Sequence, residues 1–297
     1  MVRTRRSIEE ENRVMLVSGP GMDSFLADED VAKLIEGEAI QEMLVWATDV
    51  ARRVLVVGLE DRGRIALELA RRKLFVTVVE PDESLLDEFW QKVESEGCSG
   101  YVTRFASDYM KRDFQPSGFD LAVFFSVLSR YNEPLVVLKK AARELRAGGR
   151  VFARIRVRPD MTNLRTRVAP LVAKIDRVER LAGLRSMVQR KASGLADSVP
   201  TVAHLTTLPE AGAFLTQVGE IFKIDRHEQR HLFGPVIGWL STCSRIPEPA
   251  RNLASGMLQI VDRIDGVIVK SEGTRHLATH LYIYGLKELG LGHTFRV

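Results

Sequence analysis

The chain has 297 residues, 45% hydrophobic and 28% charged, which is ordinary globular usage and excludes a disordered or collagen-like polymer. Its 43 Lys and Arg against 39 Asp and Glu leave a net charge of +4, too mild to indicate a nucleic-acid binder. Uncharged apolar runs such as Leu232–Leu240 fall far short of the ~20 residues of a spanning helix, and two cysteines, Cys98 and Cys243, make no disulfide framework, so a reducing, cytoplasmic setting is expected.

At the start, Met1–Arg6 is basic, but Glu9, Glu10 and Glu11 follow in place of an apolar region, so no secretory signal is expected. Residues 1–52 read as a helical cap. Val31, Leu34 and Ile35, then Ile40, Leu44 and Val45, recur at helical spacing from about Ala27 to Arg52. From Arg53 the pattern changes to strand–helix alternation. Val54–Val57 is a short β-branched run ending at Gly58, as suits a strand buried on both faces. A helix over Ile65–Ala70, a strand at Phe75–Val79, a helix at Leu85–Val93, and strands at Tyr101–Phe105 and Asp120–Phe125 follow. An amphipathic helix over Leu135–Leu145 is expected to close at Gly148-Gly149, before a fifth strand at Val151–Val157. Such alternation predicts a parallel sheet covered by helices.

Residues 158–200 break the pattern. Nine Lys and Arg stand from Arg158 to Lys191, and the segment reads as a basic helical insertion, either a solvated face or else a lid or a contact for an anionic surface. Residues 201–297 complete the sheet, with a helix at Leu208–Val218 and strands at Ile221–His227 and Ala278–Leu286.

Five passages in order carry a resemblance: Val54-Leu55-Val56-Val57-Gly58; Val78-Val79-Glu80-Pro81-Asp82; Ser107-Asp108-Tyr109; Phe119–Val123 with Val127-Leu128; and Ala141–Val151 with its Gly148-Gly149 pair. Together they resemble the class I S-adenosylmethionine-dependent methyltransferases acting on small molecules and lipids. The resemblance implies an α/β fold, doubly wound, with a mostly parallel seven-stranded sheet and an antiparallel last strand, in which residues 53–157 form the cofactor-binding half. It implies S-adenosylmethionine as cofactor, with Glu80 on the ribose hydroxyls, Asp108 and Tyr109 beside the adenine, and Gly58, Glu60 and Gly63 at the methionine end. Pro81 and Phe124 complete the expected cofactor-binding set. The expected acceptor is small or lipid-like, a homodimer is among the expected assemblies, and no catalytic base is named.

A carboxylate at a strand end suits a vicinal diol, because its oxygens are acceptors only. The Gly58–Gly63 spacing lacks the close glycines that admit a dinucleotide pyrophosphate, which argues against a dehydrogenase. Within Gly58-Leu59-Glu60-Asp61-Arg62-Gly63-Arg64, charged side chains replace the glycines usual in this family. Glu60 could face the ammonium group of the methionine moiety; equally, Glu60 or Arg62 could fill the pocket. Arg130 stands where many relatives carry histidine. The alternative function is therefore an inactive methyltransferase-like binding or scaffolding module.

His227-Glu228-Gln229-Arg230-His231 has the spacing of a zinc-protease helix, but the stretch reads as a strand with Gly234-Pro235 soon after, so no metal site is expected. His276 and His280 share that spacing, and a surface or core role is expected for them. Phe124-Phe125 reads as pocket wall or core, and Trp239, Phe233 and Leu232 as core or an apolar wall.

Overall fold

The computed structural model describes residues 22–158, 208–242, 244, 247–270 and 278–288. The basic segment from 159 onwards, His204, His276, His293 and Cys243 lie outside them. A cap helix α1 (Glu29–Thr48) starts at Asp28, whose carboxylate accepts from Val31 N at 3.0 Å. There follow β1 (Arg53–Val57), α2 (Arg64–Arg71), β2 (Phe75–Glu80), α3 (Glu83–Ser95), β3 (Val102–Ala106), β4 (Phe119–Phe125), α4 (Pro134–Glu144) and β5 (Leu145–Arg156). The second half adds α5 (Ala211–Gly219), β6 (Lys223–Arg230), α6 (Gly234–Thr242), α7 (Glu248–Lys270) and β7 (His280–Leu286).

The seven strands form one sheet in the order β3-β2-β1-β4-β5-β7-β6. β1 to β5 pair in parallel, and β7 runs antiparallel between β5 and β6. The expected seven-stranded, mostly parallel α/β sheet with an antiparallel last strand is the one observed. Every residue of β4 is buried, and so is β1 from Val54 onwards, as two covered faces require. One face packs under α1, α2 and α3, joined by Leu258 of α7; the other packs under α4 and α5.

One local expectation is corrected. The glycine pair does not close α4, whose cap is Leu145 in an extended conformation; Gly148 and Gly149 lie inside β5, opposite a register shift between Phe119 and Leu121 of β4. Past the end of β6, Gly234-Pro235 begins α6, where a proline in the first turn has no N–H to lose. Asp265 of α7, 2% exposed, accepts there from the backbone N–H groups of Leu232, Phe233 and Gly234 at 2.6–3.1 Å.

Candidate functional site

The sheet reverses its order between β1 and β4, and in open parallel sheets ligands bind beyond the carboxyl ends of the strands at that reversal. Gly58 leaves β1 there at φ +84°, and its N–H donates to Val79 O at 2.9 Å. A Cβ at Gly58 would stand 2.8 Å from Val127 and press on the Glu60 carboxylate, so no other residue fits this bend. Gly63 closes the loop at φ +76°, and a Cβ there would run into the Phe89 ring. Asp61, buried, ties the loop to the start of α2 by accepting from Gly63 N at 3.0 Å and Ile65 N at 2.8 Å. Arg62 turns outward and pairs with Glu88 of α3 on the surface, so it does not fill the bend.

Glu80 ends β2 with no exposed surface. Its Oε2 accepts from Leu59 N at 2.9 Å and its Oε1 from Asp82 N at 3.0 Å. Arg130 Nη1 bridges both oxygens, at 3.3 and 3.4 Å. Arg130 Nε stands 2.8 Å from Glu60 Oε1, within ion-pair range but outside hydrogen-bond geometry, and neither oxygen of Glu60 has a hydrogen-bond partner. Burial pushes the Glu60 carboxyl up to about 8, against the pull of Arg130 and with a further push from Glu80.

Asp108 accepts from Met110 N at 2.7 Å and is half-buried, while Pro81 is exposed. Tyr109 has no exposed surface; its hydroxyl donates to Glu144 at 2.6 Å and its ring meets Phe124 edge-on at 5.9 Å. Phe124 and Phe125 point into opposite cores, at 0% and 4% exposure. The structure thus brings Gly58, Glu60 and Glu80 together around Arg130, and sets Tyr109 and Phe124 in the core beneath.

A second polar cluster lies at the same strand edge. Arg154 of β5, Glu36 of α1 and Tyr282 of β7 are fully buried and hydrogen-bonded to one another, and Arg154 also donates to Ser126, just past β4. His231 Nε2 lies 3.0 Å from the Tyr282 hydroxyl and 3.5 Å from Glu36. Burial raises the Glu36 carboxyl, but Arg154 and then His231 outweigh it and hold it well below the carboxylate range. His231 and Asp265 line a cavity of about 600 Å³ between α1, α5, α7 and the end of β6. His227 lies in β6 itself, as expected, and His280 is buried at the start of β7; among the described residues no cluster could hold a metal ion. Trp239 is core at 2% exposure, whereas Phe233 is half exposed. The Arg154–Glu36 pair escapes sequence reading, because its partners stand 118 residues apart and only an isolated Glu in an apolar helical stripe hints at it.

Residues 55–153 match the family described as "Methyltransferase domain". This third of the chain matches a methyltransferase domain, and the fold around it is that of the class I methyltransferases. It contains Glu60, Glu80, Asp108 and Arg130, and the cofactor of this class is S-adenosylmethionine. Many solved structures share the fold of the chain, three among them as follows. The [4+2]-cyclase SpnF is 17% identical, with 85% of this chain and 81% of that one covered at a TM-score of 0.53. A geranyl diphosphate C-methyltransferase from Streptomyces coelicolor, bound to S-adenosyl-L-homocysteine, is 11% identical over 84% and 79% at 0.52. A phosphoethanolamine N-methyltransferase from Haemonchus contortus is 14% identical over 93% and 60% at 0.55. No curated protein matches the sequence. At such identities the likeness speaks for fold, and a fold shared with a cyclase does not fix a reaction.

The donors and acceptors of the methyltransferase domain fit an adenosyl cofactor. The Gly58 bend is lined by the Glu60 carboxylate and Val127, and that buried carboxylate, without a hydrogen-bond partner, suits a cation. Each Glu80 oxygen keeps one lone-pair direction beyond its backbone N–H, enough for two hydroxyls. Arg130 holds those directions in this structure.

Proposed function

We propose that the chain transfers the methyl group of S-adenosylmethionine to a small or lipid-like acceptor. The observation that carries this reading is the Glu80 carboxylate, fixed by Leu59 N and Asp82 N at the glycine bend of a methyltransferase domain. When bound, S-adenosylmethionine supplies a methyl group activated by a sulfonium. In this reading Glu80 accepts from the two ribose hydroxyls. Glu60 faces the positive charge of the methionine end. Asp108, at the end of the strand next to β2, receives the adenine amine. Backbone at Gly58 and Gly63 allows the close approach. The chain contributes position and charge rather than covalent chemistry, as expected where the cofactor carries the reactivity.

The named substrates of the two methyltransferases above support a small acceptor, and the cavity beside His231 offers room for one. Also part of this reading are the division at residues 52, 157 and 200, the basic segment 158–191 as an anionic-surface contact, a homodimer and a cytoplasmic location. Among the described residues no helix is long and apolar enough to cross a membrane.

The test is calorimetric titration with S-adenosylmethionine and S-adenosylhomocysteine, together with thermal unfolding, since a ligand of the native state stabilises by mass action. Binding to the wild type that Glu80→Ala abolishes is the expected result. No heat and no thermal shift at millimolar cofactor would overturn it in favour of an inactive scaffolding module, which the Arg130 and Glu60 side chains in the bend would then block permanently.

A further inference from the structure

Arg130 occupies a place with an unusual set of partners. Its Nη1 takes one position on each Glu80 oxygen, the two positions left after Leu59 N and Asp82 N are satisfied. Its Nε brings a positive charge to 2.8 Å from Glu60. A vicinal diol needs the first two acceptors, and a cationic amino acid moiety needs the third. One guanidinium therefore meets the hydrogen-bonding demand of a ribose and the charge demand of a methionine ammonium together.

We propose that Arg130 is an internal surrogate for the cofactor, seated across Glu60 and Glu80 when the site is empty and displaced when S-adenosylmethionine binds. The inference rests on the functional reading above and adds to it a residue that sets cofactor affinity by competition. Three features make the exchange feasible. Arg130 lies just past β4, in a short 3₁₀ turn that ends at Arg130 itself. Its side chain keeps 32% of its surface exposed, so it has a route out to water. Its Nη1 contacts with Glu80 are long, at 3.3–3.4 Å, and its approach to Glu60 lacks hydrogen-bond alignment. Without some cation beside them, ionising Glu60 next to the buried Glu80 would set two like charges face to face, a costly arrangement. Arg130 relieves that cost until the ligand replaces it.

The consequence is measurable. If the seated form holds about nine molecules in ten, apparent affinity falls roughly tenfold below the intrinsic value. The experiment titrates S-adenosylhomocysteine and S-adenosylmethionine calorimetrically into the wild type, Arg130→Ala and Arg130→Met, with circular dichroism confirming the fold. The methionine variant keeps an apolar stem in place should the alanine variant be unstable. Tighter binding by roughly tenfold in either folded variant is expected. Guanidinium at tens of millimolar should return the Arg130→Ala affinity toward the wild-type value, while the same concentration of sodium should not. A purely structural role for Arg130 predicts no such rescue.

Equal or weaker binding in the variants, with wild-type binding intact, would overturn the surrogate role and leave the cofactor reading standing. Binding in neither the wild type nor the folded variants would overturn both.

Discussion

Glu36 and Arg154 form an ion pair with no exposed surface on either side chain, although 118 residues separate them. The pair joins the cap helix α1 to strand β5, and Tyr282 of β7 completes it from a third element. Breaking one partner of a buried pair strands the other charge. Glu36→Gln and Arg154→Met should each lower the unfolding free energy by roughly 3–5 kcal/mol. The joint substitution Glu36→Leu with Arg154→Met should recover part of that loss. Chemical denaturation of the three proteins checks it, and additive losses would contradict the coupling.

The charge on Glu60 has a pH signature. Its carboxyl rises from the ordinary 4.5 to about 8 on folding, through burial first, so the folded chain binds a proton that the unfolded chain has released over that interval. Stability from this group is intact below about pH 4.5 and declines as pH climbs to about 8. Glu60→Gln removes the titration. The variant should match the wild type near pH 4.5 and exceed it near pH 8.5 by on the order of 3 kcal/mol. Denaturant midpoints across that range decide it; parallel curves would refute it.

Gly63 is held at φ +76° against the Phe89 ring. Gly63→Ala combines a left-handed backbone with a steric clash and should cost about 1–3 kcal/mol, read as a lower denaturation midpoint. Gly97, at φ +68° with nothing within 4 Å of its added Cβ, provides the control. Gly97→Ala should cost less, through backbone strain alone.

Asp265 satisfies three backbone N–H groups at the start of α6. Asp265→Ala leaves these donors, of which only Gly234 N is fully buried, without their acceptor, and the expected loss is roughly 1–3 kcal/mol. Hydrogen exchange should locate the loss in residues 232–242. Uniform loosening of the whole sheet would point to another cause.

The parallel half of the fold was legible because its signals are local. Val54–Val57 and Asp120–Phe125 are apolar runs that need two covered faces, and such runs declare strands by composition. The α6–α7 hairpin was not legible. Gly234-Pro235 has the chemistry of a helix stop as well as of a helix start, and the N–H acceptor that decides between them, Asp265, sits about thirty residues downstream. Gly148-Gly149 misled for the same reason, since a glycine pair serves a bulged strand as readily as a helix end. At the candidate site, the placing of Gly58 and Glu80 at the ends of β1 and β2 followed from the sequence, and their proposed roles from the resemblance. The part played by Arg130 did not, because it depends on where a flexible side chain settles once two carboxylates from different loops are brought within its reach.

The cap helix has one further implication, for anyone who wishes to dissect the protein. The stretch that matches the methyltransferase domain ends at residue 153 and contains neither the carboxylate that neutralises Arg154 nor the tyrosine hydroxyl that accepts from it. An excised segment reaching just past β5 would carry the Arg154 guanidinium without its carboxylate partner on a bare sheet border where β7 once lay. The cap helix and the last two strands therefore belong with the matched third of the sequence, since they cover its sheet border and supply the counter-charge of Arg154.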